Sequence, residues 1–88
     1  MIKGKTKSGF KYEVNSDSLN DYELIEIIAE VDVNPLLLPK LIVKLLGVEQ
    51  KDKLIEHIKA KSENGIATAE AMGNEVAEIF DNVKLKNS

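Results

Sequence analysis

Apolar and polar positions alternate along "MIKGKTKSGFKYEV", where Ile2, Phe10, Tyr12 and Val14 are spaced by polar residues around Lys7-Ser8-Gly9. A period of two predicts a β-hairpin over 2–14 with Gly9 in its turn. The first strand is the weaker half, because Gly4 interrupts it and Ile2 is its only large apolar residue. Beyond residue 17 the period lengthens to that of helices. Ser18 with Asp21, or Asn20 with Glu23, can open helix one, which runs to about Val31 with acids in its first turn. Asn34-Pro35 supplies an N-cap and a first helical residue. Pro39 then calls for a tight turn at 35–38 before a second helix from about Pro39 to Leu46, stopped by Gly47. A third helix is expected from about Glu49 to Lys61, with Leu54, Ile55 and Ile58 on one face. Thr68 can cap a fourth, where Met72, Val76, Ile79, Phe80 and Val83 fall at i, i+4, i+7, i+8 and i+11 as a buried stripe. The expected fold is mostly α: a hairpin over 2–14, about four short helices over 18–83 and a flexible tail over 84–88.

One stretch breaks this ordinary pattern. "NPLLLPKLIVKLLG" places eight aliphatic side chains among the eleven residues 36–46. At 100° per residue Lys40 and Lys44 lie within about 40° of each other, and the aliphatic residues cover most of the remaining circumference. A helix in a small domain needs an apolar arc of only a little over 100°. Helix one has a similar surplus, since Ile27 falls beside Glu23 and Glu30. Two readings stay open. Helix two is either a central helix wrapped by the others, or part of it forms an exposed apolar patch for a partner or a second copy.

Eighty-eight residues with 43% hydrophobic and 31% charged side chains describe one ordered globular domain. With no cysteine there is neither a disulfide framework nor a thiolate metal site. The start "MIKGK" has no apolar core of a signal peptide, and the longest apolar stretch is too short to span a bilayer, so a cytoplasmic protein is the default. Net charge is −3, unevenly spread: +3 over 1–14 and −6 over 15–34. That layout argues against a dedicated nucleic-acid binder. "GKT" at 4–6 lacks the strand and earlier glycine of a phosphate loop. The lysines of the hairpin, interleaved with Phe10 and Tyr12, serve an edge strand better than a single-strand platform. Residues 36–61 superficially resemble a helix-turn-helix, the alternative reading being a small DNA-binding regulator. Val43, however, stands where close helix approach wants a small side chain, and Glu49, Asp52 and Glu56 would meet phosphates. His57 has no second histidine or cysteine to share a metal with and is expected to be exposed. No nucleophile, oxyanion hole or cofactor loop accompanies the acids of helix one, so neither an enzyme nor a cofactor is expected.

The segment "LNDYELIEIIAEVDVNPLLLPKLIVKLLGVEQKDKLIEHI", followed by "TAEAMGNEVAEIF" and "LKNS", resembles the tail assembly chaperones of long-tailed phages and prophages of Gram-positive bacteria. The likeness runs over most of the chain and rests on the order of elements: an acidic first helix, the 32–35 turn, "LLLPKL", "LLG" before a polar helix, and an acidic last helix. It implies a non-structural assembly factor in the host cytoplasm, absent from the mature virion. Such a factor binds and solubilises the tape measure protein and helps recruit the major tail protein. With the charge layout and the short apolar stretch, the expected partners include no nucleic acid and no membrane, no cofactor is expected, and a homo-oligomer stays open. Combined with the aliphatic surplus, the resemblance makes Leu36, Leu37, Leu38, Leu41, Ile42 and Leu45, with Ile27, the expected client-contact surface.

Overall fold

The computed structural model describes residues 1–87, with side chains through Val83. Strands β1 (Ile2–Lys5) and β2 (Lys11–Val14) form an antiparallel hairpin pairing Ile2 with Val14, Lys3 with Glu13, Gly4 with Tyr12 and Lys5 with Lys11. Gly9 adopts φ 99°, and the turn closes with hydrogen bonds from Thr6 N–H to the Phe10 carbonyl and from Gly9 N–H to the Thr6 carbonyl. Phe10, Tyr12 and Val14 all point into the core, as their alternation predicts. Gly4 has a positive role that its propensity hides: the Tyr12 ring lies across it, filling the space a side chain would occupy.

Asn15 caps a short 3-10 turn over 16–20, and helix α1 spans Tyr22–Val31. Its N-cap is Asp21, whose carboxylate accepts from the Glu23 N–H at 2.9 Å, so the helix starts later than either predicted cap. Lys44 Nζ approaches the same carboxylate at 3.2 Å and Glu23 at 3.7 Å, tying a later part of the chain to the start of α1. The Glu23 N–H bond first, then the Lys44 ammonium, hold Asp21 below the ordinary carboxyl range, and Asp21 in turn raises Lys44. A lowered folded pKa means that this contribution is present above the carboxyl's ordinary value and is lost as pH falls through the lowered one. Urea titrations on the acid limb should therefore show Asp21→Asn less stable than wild type near neutrality, with the difference shrinking as Asp21 protonates. Parallel pH profiles would exclude this linkage.

Asn34 accepts from the Leu36 N–H and Pro35 begins a 3-10 turn over 35–37, leading into helix α2 (Leu38–Lys61). Pro39 sits in the first turn of α2, where its missing N–H costs nothing. Gly47, at φ 85° and ψ 163°, interrupts α2 as expected of a stop, but the chain resumes helix at once. The structure thus has three helices rather than about four, the second one kinked. Gln50 makes the kink tenable: its amide donates to the Leu46 carbonyl freed there, at 2.8 Å, and to the Glu13 carbonyl at 2.7 Å, while accepting from Glu13 N–H at 2.8 Å. The same side chain occupies the outer edge of β2.

Thr68 caps helix α3 (Ala69–Asn87) through its hydroxyl and the Ala71 N–H. The backbone stays helical through 84–87, read from sequence as tail; Ser88 lies outside the described residues. Met72, Val76, Ile79 and Val83 are buried, with Phe80 partly so. They meet Leu24 and Ile27 of α1, Leu41, Ile42, Leu45, Leu46, Leu54 and Ile58 of α2, and the inner face of the hairpin in one core. The first arm of α2 is thus the central helix.

Candidate functional site

The expected contact surface divides on folding. Ile27, Leu41, Ile42 and Leu45 are core residues, 2–6% exposed, and leave almost no surface on the monomer. The reason is geometric: hairpin, α1 and α3 enclose the first arm of α2 on several sides, so most of its aliphatic surplus becomes interior. Leu37 and Leu38 are half-buried, and Leu36 alone of the set stands out, 87% exposed. Val33, one residue before the Asn34 cap, is 85% exposed beside it in sequence.

Two open grooves flank this outward turn. The first, about 460 Å³, runs between the end of α1 and α3, with Ile28, Val31, Leu38, Val76 and Phe80 among its walls. The second, about 400 Å³, is lined by Leu36, Pro39, Ile55 and Ala67 among others. Pro35, Leu38 and Ala69 border both, so Leu38 stands between two adjoining apolar depressions. The turn at 35–38 builds this ridge because Pro35 and Pro39 restrict the backbone on either side of three leucines. On α3 the facing residues are small. A Cβ built on Gly73 would lie 3.9 Å from Leu38 Cδ2, and Ala69 and Ala77 stand one turn to either side. Asp32, Glu70 and Asp81 complete the lining of the first groove. Of the groove residues, sequence reasoning found Leu36 and Leu38, and also Leu41 and Ile42, which line the first and second grooves from within the core. It missed the contribution of α3, whose signal was the small residues Ala69, Gly73 and Ala77 at four-residue spacing.

A second cluster lies at the hairpin turn. Contrary to the expected exposed position, His57 is part-buried, with its ring 5.5 Å from that of Phe10. Its Nε2 lies 3.0 Å from Ser8 Oγ and 4.0 Å from Glu75 Oε1. Ser8 and Thr6 hydroxyls both donate to Glu75 Oε1, and Glu78 accepts from the Lys7 N–H at 2.7 Å. Serine, histidine and glutamate together suggest a relay, but the order is wrong. A relay needs the serine proton on the imidazole and the carboxylate at the other ring nitrogen. Here Ser8 Oγ and Glu75 Oε1 both lie at Nε2, so the carboxylate is not at the other ring nitrogen. The cluster fastens the hairpin turn to α2 and α3.

Phe10 and Tyr12 are buried, so the lysine-bearing hairpin presents no aromatic platform for bases. Along the exposed side of the second arm of α2, Lys53 pairs with Glu49 at 3.4 Å and Lys59 with Glu56 at 3.9 Å. Among the described residues, no group of three or more histidine, aspartate or glutamate side chains is placed to hold a metal, and no helix is long and apolar enough to cross a membrane. Compared with known proteins, the chain matches no family model, no curated protein and no solved structure.

Proposed function

We propose that this protein is a tail assembly chaperone that binds the tape measure protein in the host cytoplasm, keeps it soluble, helps recruit the major tail protein and is left out of the finished virion. The observation that carries the reading, beside the resemblance of the sequence, is the pair of adjoining apolar grooves around Leu38 with Leu36 exposed at their border. A long helical client exposes apolar stripes until its own assembly covers them, and an open groove lined by aliphatic side chains takes such a stripe by burying it. Binding built from many modest aliphatic contacts is reversible, as tube growth requires of a factor that must leave.

The test is co-expression with the long protein encoded immediately downstream in the same genome. Wild type should raise the soluble fraction of that protein several-fold. Leu36→Asp with Val33→Asp should remove most of the gain while leaving the circular dichroism of the chain unchanged. A client that is insoluble alone and stays so in the presence of the folded wild-type chain would rule the chaperone reading out.

A further inference from the structure

We infer that the groove between α1 and α3 receives one amphipathic helix whose apolar stripe is bracketed by lysine or arginine. This rests on the chaperone reading and specifies the client segment. The first argument is shape. Residues 69–81 of α3 line the groove over about 18 Å, three helical turns, and Gly73 and Ala77 keep its floor low enough for another helix to approach closely.

The second argument is charge. Glu70 and Asp81 are eleven residues apart, which places them within about 20° on the same stripe of α3, bracketing Gly73 and Ala77. Asp32 faces them from the end of α1. None of the three makes an ion pair with a described residue. Glu70 suits the first turn of its helix, but Asp32 caps the C-terminus of α1, where the helix dipole disfavours an acid and no basic residue compensates. An acid kept at a locally unfavourable place beside an apolar groove points to a cation brought by the occupant. The same charges disfavour a second copy of this chain, since a symmetric contact through the groove would set two identical acidic rims face to face.

The occupant is accordingly a helix with cations about three turns apart on either side of an aliphatic stripe. The test uses two labelled synthetic helices with identical stripes, one bracketed by lysines and one by glutamates, titrated with the full chain by fluorescence anisotropy. The lysine helix should bind about tenfold more tightly, with the difference shrinking in high salt. Asp32→Lys with Glu70→Lys and Asp81→Lys should reverse the preference. Gly73→Leu should block both helices by filling the groove. Ala77→Leu, at an exposed position on the same floor, serves as the check should Gly73→Leu perturb folding. Equal affinity for the two helices, or unaltered binding by folded Gly73→Leu or Ala77→Leu, would overturn the inference. So would a wild-type dimer in sedimentation that either substitution dissolves. Client solubilised in co-expression without discrimination between the helices would remove this groove from the chaperone reading. Discrimination without solubilised client would keep the groove assignment and remove the chaperone.

Discussion

Ile42→Asp is expected to abolish the folded state, whereas Leu36→Asp, six residues earlier in the same aliphatic stretch, is expected to leave stability within about 0.5 kcal/mol of wild type. Ile42 is 2% exposed, in the core shared by the hairpin and all three helices. Truncating a buried isoleucine costs about 2–5 kcal/mol by itself. A carboxylate in its place must also be desolvated without a partner or take up a proton, which adds several kcal/mol more. Their sum is comparable with the whole stability of a small domain, about 5–15 kcal/mol. Leu36 is 87% exposed, and an acid there lies in the first turn after the Asn34 cap, where the helix dipole favours negative charge. Far-ultraviolet circular dichroism with urea titration separates the two outcomes. A cooperative transition at wild-type urea concentration for Ile42→Asp would show that Ile42 is not a core residue.

Gly4→Ala should lower stability by about 1–3 kcal/mol, a fall of roughly 5–20 °C in Tm for a domain of this size. The sign is the informative part, because propensity alone says that replacing a strand glycine by alanine helps. The added methyl would stand 2.6 Å from Tyr12 Cζ and closer still to the phenol oxygen, while Tyr12 itself is 2% exposed and held by its neighbours in the core. Either the ring leaves its site or the two strands separate. Tyr12→Phe in the same background should give little relief, since the ring carbon still collides. Tyr12→Leu should be costly in wild type and cost much less when Gly4→Ala is already present, a coupling read from the double-mutant cycle. Simple additivity of the two changes, or a rise in Tm for Gly4→Ala alone, would contradict the packing of the ring over Gly4.

The polar staple at the hairpin turn bears on the same architecture. Glu75 is nearly buried, yet its carboxylate accepts hydrogen bonds from the Thr6 and Ser8 hydroxyls, and no buried polar side-chain atom among the described residues lacks a partner. The hairpin is therefore seated through Phe10, Tyr12 and Val14 on one face and pinned by Glu75 and Glu78 at its turn. Apolar surface stays open around Leu36 and Leu38, in the two grooves.

Much of this fold is legible in local chemistry. The alternation of Phe10, Tyr12 and Val14, the Asn34-Pro35 start, the break at Gly47, the Thr68 cap and the stripe from Met72 to Val83 each follow from a residue's own backbone preference or from a period within one element, and each stands in the structure. Helix α1 starts later than its sequence predicts, because Ser18, Asn20 and Asp21 all cap well. Only the 3-10 turn over 16–20 assigns the role to Asp21. The break at Gly47 and the helix beyond it are both legible; that the two arms join without a loop into one kinked helix, with Gln50 bonding the Leu46 carbonyl and β2 across the break, is not. The candidate site shows the same division more sharply. By itself the sequence determined that residues 36–46 carry more aliphatic surface than one side of a helix can hide, since composition and period are properties of the segment alone. Which of those side chains are interior was decided only by the tertiary structure. Burial is set by what packs against each face, and α1, α3 and the hairpin, brought there from distant parts of the chain, cover Leu41, Ile42 and Leu45 while leaving Leu36 in solvent.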